Sequence, residues 1–293
     1  MRHFSLYIIL LVSLFACSNK TEKPTPITEY FKLPKQLKEI SGIIGSDTKS
    51  WAIADSGNKN EVYELDSNGK ISNTIKVTDV PNTDWEEITN DKEGSLYIGD
   101  FGNNDNVRKD LAIYKIDKND LTGSEVSSSQ QTSFYYPEQT DFPSKKNKRF
   151  FDCEAFFELN GNFYLFTKNR SKNFDGTTFL YKVPNKPGNF AAEKIAEFKT
   201  CPDYHNCCIT GAALSADQKK VVLLTHSKVF LFEDFKTDNF FQGKVTELEL
   251  NHYSQKEAIC FSGNDELLIA DEKANKIGGH VYKVSVSKLK SKS

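Results

Sequence analysis

The sequence predicts an all-β fold, a single β-propeller of five four-stranded blades that is closed by an N-terminal strand. Three observations lead to this prediction. A pair of strands recurs five times at a nearly constant offset, and a strand with a central aromatic residue follows each pair. The last copy lacks its fourth strand, whereas a strand without a repeat of its own precedes the first copy.

Each repeat opens with a short strand that holds a polar residue, a small or acidic residue and an apolar residue. An apolar strand follows and ends in a polar residue, which stands 13 to 15 positions after the start of the first strand. Turn sequences such as Asn160-Gly161 lie between the two strands, so each pair is expected to form a β-hairpin. The first strands begin at Ser41, Glu86, Glu154, Thr210 and Glu257, and the second strands end at Asp55, Asp100, Thr167, Thr225 and Asp271.

The third and fourth strands complete each predicted blade. The third strands centre on Tyr63, Tyr114, Tyr181, Phe230 and Tyr282. Fourth strands are expected at residues 71–77, 131–136, 193–198 and 244–250, but the chain ends too soon for a fifth. Residues 27–33 have the missing pattern. We therefore expect them to complete the last blade, which closes the ring and hides the strand edges of an open array.

A six-bladed ring is the alternative. The separation between Glu86 and Glu154 is 68 residues, against 45 to 56 for the other repeats. The surplus is about 20 residues, which is too few for a blade of about 40. Long loops at residues 118–130 and a basic loop at residues 144–149 account for it.

The N-terminus resembles a bacterial lipoprotein signal. A short basic start precedes the apolar residues 4–15, and Leu14-Phe15-Ala16-Cys17 resembles a lipobox, although Phe15 is bulky for that position. We expect residues 1–16 to be removed and Cys17 to carry fatty acyl chains such as palmitate. An ordinary signal peptide with an incidental cysteine is the alternative.

These features divide the chain into a signal peptide (1–16), a lipidated cysteine and flexible tether (17–26), a propeller (27–288) and a basic tail (289–293). The predicted location is the cell envelope, on the outer membrane, facing the periplasm or the outside. A formal net charge of −2 argues against a nucleic-acid partner. The expected partners are the membrane and a small ligand or an envelope protein, with the chain as a monomer.

Propeller topology brings the repeated polar residues together. The loop that enters the first strand of a blade and the loop that leaves the second lie at one end of the ring, near the central channel. The candidate ligand- or metal-binding residues at this channel mouth are Asp55, Glu86, Asp100, Glu154, Lys168, Glu257 and Asp271. Clustered carboxylates repel one another, so Ca²⁺ is the expected cofactor, with a cationic or polyhydroxylated ligand as the alternative.

Two alternative roles for the acidic residues at the mouth remain open. An Asp at the end of a strand often caps the following loop through hydrogen bonds to the backbone. The alternative is that Lys168 and Arg170 pair with the glutamates, which would remove the need for a metal ion. No catalytic residue is assigned from the sequence.

Five cysteines follow Cys17. Cys201 is expected to form a disulfide with Cys207 or Cys208, because the loop is short and disulfides persist outside the cytoplasm. Cys153 and Cys260 lie in predicted inner strands and are expected in the core. Since paired C-x-x-C motifs are absent from the sequence, a structural zinc site is not predicted.

Four stretches resemble a known family: ADSGN (54–58), DWEEI (84–88), LYIGDFGNN (96–104) and DCEA (152–155). They are similar to bacterial propeller proteins grouped as SdiA-regulated-like or esterase-like-phytase-like, many of them predicted lipoproteins. The resemblance covers most of residues 40–284 and implies a β-propeller, but little chemistry. The chain is also distantly similar to calcium-dependent lactonase and phytase propellers, whose ligands have no matching motifs here.

Two functions follow as hypotheses. The first is an envelope propeller that binds a ligand or an ion at its acidic mouth. The second is a metal-assisted hydrolase of an ester, lactone or phosphoester, with Glu86, Glu154 or Glu257 as metal ligand or general base.

Overall fold

The computed structural model describes residues 24–46 and 48–291. The predicted signal peptide, Cys17 and the first part of the tether lie outside these residues. Within them the chain forms five sheets arranged in a ring, each built on four antiparallel strands, which confirms a five-bladed propeller and excludes the six-bladed alternative.

The chain enters the ring through its last blade. Strand β1 (Thr28–Lys32) pairs antiparallel with the third strand of that blade, with Thr28 opposite Lys283 and Lys32 opposite His280. This strand supplies the outer edge that the C-terminal repeat lacks. The predicted closure by the N-terminal strand is thereby confirmed.

The remaining strands follow the repeat in chain order, from the channel outwards in each blade. Blade 1 contains β2 (Ile40–Gly45), β3 (Lys49–Ala54), β4 (Glu61–Asp66) and β5 (Ile71–Val77). Blade 2 contains β6 (Trp85–Asn90), β7 (Leu96–Asp100), β8 (Ala112–Ile116) and, after the short β9 (Glu125–Val126), β10 (Gln130–Tyr135). Blade 3 contains β11 (Asp152–Leu159), β12 (Asn162–Lys168), β13 (Thr177–Pro184) and, after β14 (Gly188–Ala191), β15 (Glu193–Lys199).

Blades 4 and 5 complete the ring. Helix α1 (Tyr204–Cys207) leads into blade 4, which contains β16 (Gly211–Leu214), β17 (Lys220–Leu224), β18 (Lys228–Glu233) and β19 (Lys244–Glu249). Blade 5 contains β20 (Lys256–Ser262), β21 (Glu266–Asp271), β22 (His280–Ser285) and β1, and helix α2 (Val286–Lys290) follows it. Among the described helices none is long and apolar enough to cross a membrane.

The connection between the third and fourth strands of a blade covers the outer edge of the preceding blade. Strand β9 pairs in parallel with β5, and β14 pairs in parallel with β10. A 3₁₀ turn at Phe240–Gln242 packs on β15, and α2 packs on β19. Outer edges that would expose unpaired backbone groups are therefore covered. Strand β9 lies within residues 118–130, which the sequence pattern predicts to be a loop.

The core is divided among the interfaces between neighbouring blades. Trp51 and Ile53 of blade 1 pack against Trp85 and Ile98 of blade 2, and all four side chains are buried. Similar apolar clusters lie at the other four interfaces. Because each blade is hydrophobic on both faces, its strands are stable only with a neighbour on each side, which the closed ring provides.

Candidate functional site

The inner strands carry a β-bulge at the same point in four of the five blades. The bulge residue stands between two ladder pairs, as Glu86 does between the pairs Trp85–Asp100 and Glu87–Gly99. A bulge turns a side chain out of the alternation of the strand. The bulge residues are Ser41, Glu86, Glu154 and Glu257.

All four bulge residues line a cavity of about 210 Å³ at one end of the channel. The predicted residues Asp55, Glu86, Glu154, Lys168 and Glu257 come together there. Asn104, Arg170, Gln255 and Glu272 join them from the loops. The repeat pattern does not predict Asn104 and Gln255 as lining residues, because an amide side chain in a loop carries no periodic signal. The full lining is Ser41, Asp55, Glu86, Asn104, Glu154, Lys168, Arg170, Gln255, Glu257 and Glu272.

Hydroxyl groups connect the inner strands of neighbouring blades at the mouth end. The Ser41 hydroxyl donates a 2.7 Å hydrogen bond to the carbonyl oxygen of Trp85, the residue before Glu86. The Thr210 hydroxyl donates a 2.6 Å bond to the carbonyl oxygen of Lys256, the residue before Glu257. These side chains fix the backbone that aims the two glutamates, which explains polar residues at the first-strand positions of blades 1 and 4.

In blade 3 the negative charges of the acidic side chains are neutralised by basic side chains of the same blade. Arg170 Nε donates a 2.6 Å hydrogen bond to Asp152, and Arg170 Nη2 donates a 2.7 Å bond to Glu154. Lys168 Nζ lies 3.0 Å from the other oxygen of Glu154. The pKa of Glu154 is raised by burial but lowered more by Lys168 and Arg170, so that it falls below its usual value and the group is ionised at neutral pH.

Glu257 has weaker partners. Its Oε1 atom lies 3.1 Å from His226 Nε2, and its Oε2 atom, which is buried, has no hydrogen-bond partner among the described residues. Lys168 Nζ approaches to 3.8 Å. Lys168 therefore lies between the glutamates of blades 3 and 5 and is shared by them.

Among the described residues no lysine or arginine forms an ion pair with the carboxylate of Glu86. Its side chain is 6% exposed, and among the described residues none donates a hydrogen bond to its carboxylate. Burial, followed by the charges of Glu154 and Asp55, raises its pKa well above the ordinary value. Gly102 adjoins this carboxylate and that of Asp84, where a Cβ atom would collide with both.

Two groups of three carboxylates lie close enough to hold one ion, with oxygen atoms within 4.8 Å of one another. The first group is Asp55, Asp84 and Glu86, and the second is Glu86, Asp152 and Glu154. Burial raises the pKa of Asp55 to about 6, and the pKa of Asp84 is also raised, mainly by burial. Both groups bring together oxygen donors of the kind that hard cations prefer.

Asp100 and Asp271 do not line the cavity. Asp100 accepts a hydrogen bond from the Asp84 backbone amide and forms a 2.8 Å ion pair with Arg108. Asp271 accepts bonds from the His280 amide and the Tyr282 hydroxyl, each 2.9 Å long. Both therefore act as loop caps within their own blades.

A disulfide loop borders the mouth beside blade 3. Cys201 is bonded to Cys207, and Cys208 is a buried free thiol. Within this loop the Tyr204 hydroxyl accepts a 2.7 Å hydrogen bond from Arg170 Nη1. The loop thus helps to orient the guanidinium group that compensates blade 3. Cys153 and Cys260 are buried in inner strands.

The sequence matches no protein-family model, and it matches no curated protein. One similar solved structure is a crystal structure of a nidogen/laminin complex. The TM-score is 0.47 at 14% identity, and the match covers 85% of this chain and 76% of that chain.

Proposed function

We propose that this chain is a lipid-anchored β-propeller of the cell envelope that binds a divalent cation, in the first instance Ca²⁺, at its acidic mouth. The observation that carries the proposal is the carboxylate of Glu86. It is buried, it has no hydrogen-bond donor among the described residues, and it belongs to both groups of clustered acids. A bound cation would supply the missing positive charge.

The group Asp55, Asp84 and Glu86 is the better of the two sites. In the other group, Asp152 and Glu154 already share Arg170, and Lys168 also pairs with Glu154. A metal ion placed there would be repelled by two fixed cations. Asp55 and Glu86 have no ion pair with a described lysine or arginine, so their negative charge is available to a ligand.

Calcium fits the donor set. The group offers carboxylate oxygens, and the Asn104 amide lines the same cavity. Ca²⁺ takes six to eight oxygen ligands and tolerates irregular geometry, whereas zinc prefers nitrogen and sulfur. A cationic or polyhydroxylated organic ligand would use the same acids, and competition with Ca²⁺ would reveal it.

The envelope assignment is supported by the lipobox-like sequence before Cys17 and by the disulfide Cys201–Cys207, which suits an oxidising compartment. The resemblance to SdiA-regulated-like propellers, many of them predicted lipoproteins, also favours a location in the cell envelope.

A metal-assisted hydrolase is the second candidate. One observation favours it: burial raises the pKa of Asp55 to about 6, near the range in which a carboxylate can act as a general base at neutral pH. A cation beside it would polarise an ester or phosphoester. A panel of esterase, lactonase and phosphatase substrates, with and without Ca²⁺, separates this candidate from binding alone.

Calorimetric titration of the chelator-treated protein with Ca²⁺ and Mg²⁺ tests the proposal. We expect heat of binding and a melting temperature that rises with ion concentration, because the ion binds the folded state. Glu86→Gln should weaken binding at least tenfold. Glu93→Gln, at an exposed hairpin turn, is the matched control and should bind like the parent. Millimolar ion that produces neither heat nor a melting shift would refute a cation site.

A further inference from the structure

Exposed apolar side chains concentrate at the mouth end of the ring. The described part of the chain has six large hydrophobic residues that are exposed. Tyr135 and Val245 lie on outer strands. The other four, Val107, Phe142, Tyr253 and Ile277, lie in loops that leave a second strand or enter a first strand. These loops form what we call the mouth face. Four of the six exposed side chains thus lie at one end of the ring, where they can contribute to a contact if charged groups accompany them.

Lysines without carboxylate partners lie in the loop that carries Phe142 and next to its ring. Lys145, Lys146 and Lys148 are exposed in the loop between β10 and β11. Lys109 Nζ lies 4.6 Å from the centroid of the Phe142 ring. None of these four lysines forms an ion pair with a described carboxylate. Positive charge and an exposed aromatic ring are therefore presented together.

Backbone hydrogen bonds hold this patch in shape. The Lys172 amide donates a 2.7 Å bond to the carbonyl oxygen of Lys146, which joins the loops on either side of the inner hairpin of blade 3. The Ser144 amide donates a 3.3 Å bond to the carbonyl oxygen of Asn106 in blade 2. Three loops from two blades thus form one surface, and the backbone that carries its lysines needs little reordering to bind a partner.

A second basic and apolar patch lies across the ring. The loop after β21 exposes Lys273, Lys276 and Ile277. Neither lysine forms an ion pair with a described carboxylate. Tyr253, which is 53% exposed, lies in the neighbouring loop between β19 and β20. The two patches flank the mouth from opposite sides.

The described chain also begins at this end of the ring. The Thr25 hydroxyl donates a 2.8 Å hydrogen bond to the carbonyl oxygen of Leu250, and Asn251 Nδ2 donates a 3.5 Å bond to that of Pro24. Leu250 and Asn251 open the loop that carries Tyr253. An anchor at Cys17 would lie seven residues before Pro24, a span of at most about 25 Å when extended.

We propose that the mouth face lies against an anionic phospholipid surface. The patch lysines contact the headgroups, and Phe142 and Ile277 enter the interface. Lysines beside exposed apolar residues are the pattern of proteins that bind at membrane interfaces, where each basic residue adds attraction to an anionic leaflet. The orientation rests on the lipid anchor of the proposed function, whereas the affinity of the face for lipid does not. The mouth would then receive its ligand from the membrane side.

Flotation with phospholipid vesicles tests this proposal. The protein is the chain from Ser18 onward, which lacks the acyl chains but keeps every described element. A chelator is present, so that the result does not depend on the cation site. We expect binding to vesicles that contain phosphatidylglycerol, weak binding to neutral phosphatidylcholine vesicles, and loss of binding as the salt concentration rises.

Charge reversal identifies the surface. The triple variant Lys145→Glu, Lys146→Glu and Lys148→Glu should weaken binding about tenfold or more. The matched control reverses three exposed lysines away from the mouth face, Lys92, Lys118 and Lys219, and should bind like the parent. Phe142→Ser should weaken binding without altering its salt dependence. Equal losses in the two triple variants, or parent binding that does not distinguish anionic from neutral vesicles, would overturn the proposal.

Discussion

The ammonium group of Lys168 lies 3.0 Å from the carboxylate of Glu154, and each side chain is only 6% exposed. The two residues stand at the start of the inner strand and the end of the second strand of blade 3. In blade 2 the residue that corresponds to Lys168 in the strand register is the buried Phe101, so Glu86 receives no such cation. The negative charge of the mouth is therefore neutralised by cationic side chains on the side of blade 3, and it is not neutralised in this way on the side of blades 1 and 2.

Lys168→Met should have opposite effects on stability and on cation binding. The free energy of unfolding should fall by about 3 kcal/mol, because a buried carboxylate loses one partner while Arg170 keeps the other. Affinity for Ca²⁺ should rise several-fold, since a fixed positive charge leaves the mouth. Denaturant unfolding and calorimetry measure the two quantities. Lys199→Met, in an exposed ion pair, is the control and should change neither by much. Weaker Ca²⁺ binding in Lys168→Met would contradict this account.

Stability without added cation should decrease as pH rises from about 4 to about 8. Burial raises the pKa of Asp55 from 3.8 to about 6, and burial followed by the charge of Glu257 raises that of Glu272 from 4.5 to about 8. Each group binds its proton more tightly in the folded state, so its contribution is present at low pH and is lost as pH rises through the folded pKa. Bound Ca²⁺ favours the ionised carboxyls and should flatten this decrease. Melting temperatures across this pH range, in chelator and in Ca²⁺, provide the measurement, and superimposable curves would count against the prediction.

Gly102→Ala should reduce cation affinity about tenfold or more without unfolding the ring. A Cβ atom at this position collides with the carboxylates of Glu86 and Asp84, which must move apart. Metal affinity depends on ligand oxygens held at fixed spacing. Gly123→Ala is the control, because its Cβ atom would have no contact closer than 3.4 Å. Calorimetric titration of both variants decides the point, and parent-like affinity in Gly102→Ala would argue against the group Asp55, Asp84 and Glu86.

Removal of residues 27–33 should destabilise the whole domain. Strand β1 pairs with β22, and Ile27, Phe31 and Leu33 are buried in the core clusters on either side of blade 5. Loss of the strand exposes an edge and apolar surface, so aggregation or a fall in melting temperature of more than 10 °C is expected. Removal of residues 18–23 is the control and leaves the described ring intact. If both truncated proteins melt alike, β1 does not hold the ring closed.

Cys17→Ser should abolish labelling by radioactive or alkyne fatty acids and move the protein from the membrane fraction to the soluble fraction. The reason is that Cys17 is the predicted acylation site, and acyl chains attach a protein to a bilayer by burying their methylenes. Cys153→Ser serves as the labelling control, because that thiol is buried within a blade. Fatty-acid labelling that persists in Cys17→Ser would exclude the lipobox assignment.

The repeat pattern alone predicted the five blades, the strands of each blade and the closure by residues 27–33. Hydrophobic alternation and turn sequences report which residues face a core, and the missing fourth strand of the last repeat required an N-terminal partner. The same pattern brought Glu86, Glu154 and Glu257 to one end of the channel, because propeller connections fix the end at which each loop lies.

Only the tertiary structure decided which of these side chains face the mouth. Glu86 enters the cavity because a β-bulge turns it out of the alternation, and hydropathy does not record a bulge. Asp55 comes one residue after the last ladder pair of β3 and faces the cavity, as Glu272 does after β21. Asp271 lies inside the ladder, one position earlier in the register, and is held by the Tyr282 hydroxyl. A shift of one residue moves a strand side chain to the opposite face. The pairing of strands in three dimensions sets this register, and the spacing of polar residues along the chain does not reveal it.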